Sequence, residues 1–478
     1  MALSRLLVLV LLPGMLASPS HAGPVPQTGP IIDPARELMI TNVAVVDDPV
    51  RTAPGGCWHF GTLMRRMAGT VAPEEFVDHW LSTLIEPQEV NGVLVDQPQK
   101  ALAFAAFRAA WLAGGSELDL DAAPFRLLAI VNRPDLVRVG AQGITAFGEM
   151  RFVYGAYWPG NPNDPRNFLV IFEYGVPSSS CAELQQWAER WHTLGIYAPG
   201  TRDYNLRLQV LTDSITRPQA GSSRPNCSLL NQLRTNEFEL DDSHSLFWNL
   251  REWNIVAPIV DQGLLETVTT KQTPHFSFVK TAGGRAILRE FLDQNRTAIL
   301  AGNHLVPDYF LSPTSGLVSF QTGDAVNSSS HGHPHGGGPF CCDGALWWSP
   351  GYQGAPEQPN LTVEDANVRH GFALQTCSGC HQEETDTPFT MVSNRFPGTP
   401  SALSPFLTGI TVADPVAPLA LDHPNGNMVP VRHAFADLDH RKSVLKRMLQ
   451  LNCTPPPGEL APLDVLLSIK AELGTRVH

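Results

Sequence analysis

The sequence predicts an α+β protein, with a larger mixed α/β domain over residues 23–320 followed by a small, mainly helical module over 361–478. Hydrophobic residues make up 43% of the 478-residue chain, enough for a large core. Charged residues are only 17%, too few for a disordered polyampholyte. The hydrophobic period changes from helical to strand-like near residue 115, and then dissolves in a Gly/His-rich tract over 321–360 that sets the boundary.

The chain opens on a segment expected to be processed rather than folded. Arg5 is a basic n-region, Leu6 to Ala17 is apolar, and Ser20-His21-Ala22 is a small-x-small cleavage site, so residues 1–22 read as a signal peptide. No later apolar run reaches the ~18 residues that span a bilayer. The mature chain is therefore expected in the periplasm or outside the cell, without an integral membrane segment. The formal net charge of −13 argues against a nucleic-acid partner, because phosphate contacts need a basic surface.

A strand is expected over Leu38 to Val46, stopped by Asp47-Asp48-Pro49. Residues 57–115 read mostly as helix, with Phe76, Trp80, Leu81 and Leu84 on one face and Ala103, Phe104, Phe107 and Trp111 on another. Strands follow at 125–131, 151–157 and 168–174, then a helix over Ala182 to Leu194, a strand over Leu206 to Leu211 and a helix over Arg285 to Leu300. Beyond the tract, Thr362-Val363-Glu364-Asp365 is a capping-box start, and Phe435 to Leu451 and Leu463 to Leu473 are closing helices.

The chemistry lies in Cys377-Ser378-Gly379-Cys380-His381, the C-x-x-C-H attachment signature of c-type haem. Two thiols on one turn can reach both vinyl groups of one porphyrin, and the adjacent histidine can ligate the iron from below. The stretch resembles the haem module of c-type cytochromes: an aromatic-bearing helix, C-x-x-C-H, a long loop and a closing helix. That resemblance covers the last quarter of the chain and implies one covalent haem c, bound through Cys377, Cys380 and His381. The whole chain also resembles a family of uncharacterised exported bacterial proteins. This likeness is carried by Ile40-Thr41-Asn42, by Asp47-Asp48-Pro49-Val50-Arg51-Thr52, by Ala129-Ile130-Val131-Asn132-Arg133, by Arg234-Thr235-Asn236-Glu237 and by Thr376-Cys377-Ser378-Gly379-Cys380-His381 running on to Leu403-Ser404-Pro405-Phe406-Leu407-Thr408-Gly409. It implies a secreted chain with a single C-x-x-C-H and supplies no activity.

Two plainer readings stand beside haem: a short Cys377–Cys380 disulfide, or a structural zinc site completed by another Cys or His. For a distal iron ligand the candidates are Met428, just before a closing helix, and Met391, eleven residues after Cys380, with His423, His433 and His440 as imidazole alternatives. His331, His333 and His335 next to Cys341-Cys342 could hold copper or zinc, against a plain flexible linker with structural half-cystines. Of the eight cysteines, the large domain holds an odd three, Cys57, Cys181 and Cys227, so full pairing requires a bridge that crosses to Cys341, Cys342 or Cys453.

In the large domain, Glu173 is a carboxylate within an apolar strand run, and Glu237, Glu239, Arg234, Arg251 and Glu252 are similar; ordinary ion pairs are the plainer reading. No G-x-S-x-G, H-E-x-x-H, Walker loop or G-x-G-x-x-G occurs. The functional expectation is an exported c-type monohaem protein with an electron-transfer or other redox role, serving a protein or small-molecule redox partner. The alternative is a secreted binding or envelope-associated protein whose C-x-x-C-H is a structural disulfide or metal site.

Overall fold

The computed structural model describes residues 29–453, apart from 91–92, 96–97, 141–142, 241–248, 258–261, 271–273, 275–277, 279–280, 303, 321–325, 329–360, 377–378 and 388–389. The expected signal peptide, the His331/His333/His335 tract, Cys377 and the Leu463 to Leu473 helix lie outside the described residues.

The fold is mixed α+β and is organised around one antiparallel sheet. The strands are β1 (Met39–Ile40), a small hairpin β2 (Gln88–Val90) and β3 (Val93–Val95), then β4 (Phe125–Arg133), β5 (Arg138–Gly140), β6 (Gly143–Tyr157), β7 (Pro165–Pro177), β8 (Leu230–Glu239), β9 (Asn249–Val256) and β10 (Leu264–Val268). The sheet runs β1-β4-β6-β7-β8-β9-β10, with β5 beside β6 and β13 (Val326–Ser328) beside β9. Three residues of the expected 321–360 linker, Val326, Asn327 and Ser328, thus belong to a strand.

Alternation sorts the strands into two faces. Phe152 and Tyr154 on β6, Phe168, Val170 and Phe172 on β7, Leu233 on β8 and Trp253 on β9 join one apolar cluster. The helices Phe60–Ala68, Pro73–Ile85, Pro98–Leu112, Cys181–Thr193 and Arg202–Thr216 contribute to the same cluster. Val153 and Leu169, one residue out of phase, face the other way. With Ala129 and Val131 they pack against Cys380, Val392, Phe406 and Phe435 from the C-terminal part. A bulge between Leu127 and Ala129 shifts the phase of β4, so that Phe125 and Leu127 before it and Ile130 after it face the first cluster while Ala129 and Val131 face the second. Much of the C-terminal part thus covers the second face, while its helix Asp437–Leu449 also joins the first cluster through Val444, Leu445 and Met448.

Two expected strands are corrected. Only Met39–Ile40 is strand; Asn42 accepts a hydrogen bond from the Ala44 N–H and starts a helical turn over Val43–Val46, and Asp48 repeats this before Pro49. The run Leu206 to Leu211 lies inside the helix Arg202–Thr216, capped by Thr201. Its buried positions, Tyr204, Leu208, Leu211 and Ile215, keep helical spacing, whereas Leu206 and Val210 are exposed and only mimic strand alternation. The closing helix is Asp437–Leu449; Phe435 ends the strand before it.

The capping box at Thr362 is present, with both reciprocal hydrogen bonds to Asp365. The helix it starts, Val363–Ala373, packs on the helix Ala282–Leu300 through Phe372, Val368, Phe291 and Ile299. Cys181–Cys453 is a disulfide, a crossing bridge of the kind the odd cysteine count requires. Closing a loop of 272 residues, it constrains the unfolded chain and is worth roughly 2–5 kcal/mol. Such a bond is consistent with an oxidising compartment. No helix among the described residues is long and apolar enough to cross a membrane.

Candidate functional site: a cleft between the sheet and the CxxCH turn

The helix Val363–Ala373 delivers the chain to the motif. The Gly379 N–H donates to the Thr376 hydroxyl and the Cys380 N–H to the Thr376 carbonyl, at 3.1 Å each. The backbone then makes a π-helical turn over Gly379–Glu383. A Cβ on Gly379 would stand 2.1 Å from the Ala373 carbonyl oxygen, so the motif's glycine is required by close backbone approach. Cys380 is buried against the second face of the sheet, and His381, 7% exposed, opens onto a cleft there.

The cleft offers about 80 Å³ of space, room for a small ligand but below the roughly 300–1,000 Å³ of drug-sized and cofactor sites. Its apolar walls include Val131, Val153, Leu169 and Phe406, and both His381 and Met391 line it. The structure therefore brings two expected site residues together. Met428 is elsewhere: it sits in β16 (Met428–Pro430), which with β15 (Leu419–Leu421) forms a surface hairpin, and is 46% exposed. His423 is exposed beside Asp422 in that hairpin's loop, and His440 rides on the closing helix.

The floor of the cleft is charged. Arg151 on β6 stands opposite Glu173 on β7, which stands opposite Gln232 on β8; Arg234 stands opposite Glu252 on β9. Arg151 pairs with Glu173 at 2.9 Å and with Glu149 at 2.7 Å, and Arg234 pairs with Glu252 at 3.1 Å. Arg133 grips Asp135 through two nitrogens. Burial would raise the Glu149 and Asp135 carboxyls, but the arginines against them hold both below the ordinary range. The acid in the apolar strand, Glu173, is accordingly an ion-pair member. On the opposite face Arg251 pairs with Glu237 at 3.1 Å.

The fourth arginine of the cleft, Arg441, comes from the closing helix and is 4% exposed. Its Nη2 pairs with Asp437 at 2.6 Å, while Nε and Nη1 have no hydrogen-bond partner among the described residues. Sequence reasoning missed Arg441, since an arginine on an amphipathic helix carries no local sign of burial.

A second polar cluster lies beside the motif. His370, Asp414 and His433 are buried, with ligand-capable atoms within 4.8 Å of one another. His433, a candidate iron ligand by sequence, shares its Nε2 with Asp414 at 2.9 Å, and its ring stacks on His370 at 3.4 Å. Asp414 also takes Arg369 at 2.6 Å and the N–H groups of Val416 and Ala417, and His370 meets Glu384 at 2.7 Å. With a guanidinium already on the shared carboxylate, the cluster is built as a polar staple that ties β17 (Arg432–Phe435) and the helix Val363–Ala373 to the turn after the motif.

Of the remaining cysteines, Cys57 is a thiol in the aromatic core, which burial pushes up to about 11 and so keeps unreactive. In comparisons with known proteins, no family model, curated sequence or solved structure matches this chain, so the geometry of the cleft carries the functional reading.

Proposed function

We propose that the protein is an exported c-type monohaem protein, whose C-terminal part is a cytochrome c-like cover holding the haem against the second face of the sheet. The observation that carries this reading is that His381 and Met391 line one apolar-walled cleft beside the buried Cys380. The residues present fit the group in kind: the Cys380 thiol on a tight turn, the His381 imidazole next to it, a thioether in the same cleft, apolar walls, and Arg441 with donors unmet among the described residues. A porphyrin needs more room than the cleft gives, so the cover would have to move outward to seat it. Bound there, a c-type haem supplies a one-electron redox couple. Cys377 and Cys380 would anchor it and His381 would be its proximal base. Met391, rather than Met428, would offer the second ligand, and a thioether there raises the potential. The apolar walls would lower the local dielectric, and the ion pairs of the floor would set the local field. The role is electron transfer to a protein or small-molecule partner.

The test is colour. Full-length protein made in cells that mature c-type cytochromes should show a Soret band and keep its haem through acid–acetone extraction. The Cys377→Ala/Cys380→Ala double variant should lose the haem on extraction. A colourless wild-type protein from such cells would refute the reading in favour of a structural disulfide.

A further inference from the structure

We propose that the floor of the cleft is a carboxylate receptor centred on Arg441. A guanidinium has only donors and keeps its proton in proteins, so what it lacks is an oxygen acceptor. Arg151, Arg133 and Arg234 each have carboxylates in hand: Glu149 and Glu173, Asp135, and Glu252. Arg441 keeps one, Asp437, on Nη2, and its Nε is 3.9 Å from Asp135, beyond hydrogen-bond length. Two of its donor atoms thus remain buried with no acceptor among the described residues, and a bound anion is one arrangement that would satisfy them. Burial, with Arg133 close by, also disfavours the Arg441 cation. An anion relieves both the unmet donors and the like-charge crowding.

The geometry around Arg441 sets the ligand class. Four arginines and one carboxylate, Glu173, line the cleft beneath apolar walls, and of the four only Arg441 has donors unmet among the described residues. A carboxylate attached to an apolar body satisfies floor and walls together. Two sources share that chemistry, the propionate arms of a haem and a free dicarboxylate. Only the first rests on the haem reading.

The test uses the full-length protein from cells that attach c-type haem, as wild type, Arg441→Gln and Arg441→Lys. Calorimetric titration with succinate reads the free-anion source: binding should weaken roughly tenfold or more in Arg441→Gln, because a charge-assisted hydrogen bond is lost. The reduction midpoint, followed from about pH 5 to about pH 9, reads the propionate source. With Arg441 in place, the propionate stays ionised and the midpoint is flat. In Arg441→Gln its pKa rises into the window, and the midpoint falls as pH rises. Arg441→Lys keeps the charge without the planar fork, should restore most of the wild-type profile, and serves if the glutamine variant fails to fold. Either signal supports the receptor and names its source. No succinate heat, together with one pH profile for all three proteins, overturns it. A protein that carries no haem refutes the haem reading alone and leaves the succinate arm to decide.

Discussion

On one face of the sheet, Phe60 stacks on Phe125 at 4.3 Å and meets Tyr154 edge-on at 5.4 Å and Phe172 at 5.3 Å. On the other, the same strands β4, β6 and β7 turn out Arg133, Arg151 and Glu173, beneath a cleft closed by the CxxCH turn. The first face packs a dense aromatic cluster against the five helices and the inner side of Asp437–Leu449. The second spends burial on charges, which replacement by apolar residues would often leave equally stable. On the proposed reading the second face holds the haem, so the two faces would divide stability from function.

The sharpest way to break that division is Phe60→Ala. Removing the hub of the aromatic face should cost about 3–5 kcal/mol in denaturant unfolding. The haem spectrum of the protein that remains folded should be unchanged. A spectral shift would show the faces to be coupled.

Acid should separate them in two steps. Burial pushes His304 down to about 4, whereas its unfolded form titrates near 6.5. The unfolded chain therefore binds a proton that the folded chain refuses, and stability falls, by at most about 3 kcal/mol, as pH drops through that window. His304→Phe should flatten this limb. The carboxyls of Asp135, Glu149 and Asp414 are held below their ordinary range. Their contribution is full above about pH 4 and is lost as pH falls through their folded values. That second limb should change the haem spectrum before the fluorescence of Trp58, Trp80 and Trp253 on the aromatic face. Simultaneous loss would contradict the division.

Glu173→Gln tests the floor alone. It removes the carboxylate between Arg151 and Arg234, but Arg151 retains Glu149 and Arg234 retains Glu252, so we expect a loss of only about 1–3 kcal/mol. If the cleft holds the proposed haem, the reduction midpoint should rise, since a negative charge of its floor is gone. Met391→Leu is the mildest: a volume-conserving change costing under about 1.5 kcal/mol. It should abolish the weak near-infrared sulfur-to-iron band, whereas Met428→Leu should leave that band intact. The reverse pattern would move the ligand to the surface hairpin.

Much of this division was legible in the sequence and some was not, for physical reasons. The central strands stood out because β-branched and aromatic runs bounded by Asn, Asp, Gly and Pro have few other solutions. The motif stood out because its spacing is chemical rather than conformational. What stayed hidden depended on register. Arg151, Glu173 and Gln232 are far apart in sequence and become one row only when β6, β7 and β8 align. Phe372 pointed to an aromatic-bearing helix, yet its partner helix Ala282–Leu300 lies on the far side of the Gly/His-rich tract, a contact that no local pattern encodes. Val43–Val46 misled because one capping side chain, Asn42, outweighed the strand preference of three valines.

The central claim is that the turn under the second face carries one covalent haem, and intact mass of the full-length chain under denaturing conditions tests it most directly. For protein from cells that mature c-type cytochromes, the account predicts the mass of the chain plus one haem, with peptide mapping placing the addition on the peptide that holds Cys377 and Cys380. The same peptide found two hydrogens lighter, with no added mass, would be a Cys377–Cys380 disulfide and would contradict it.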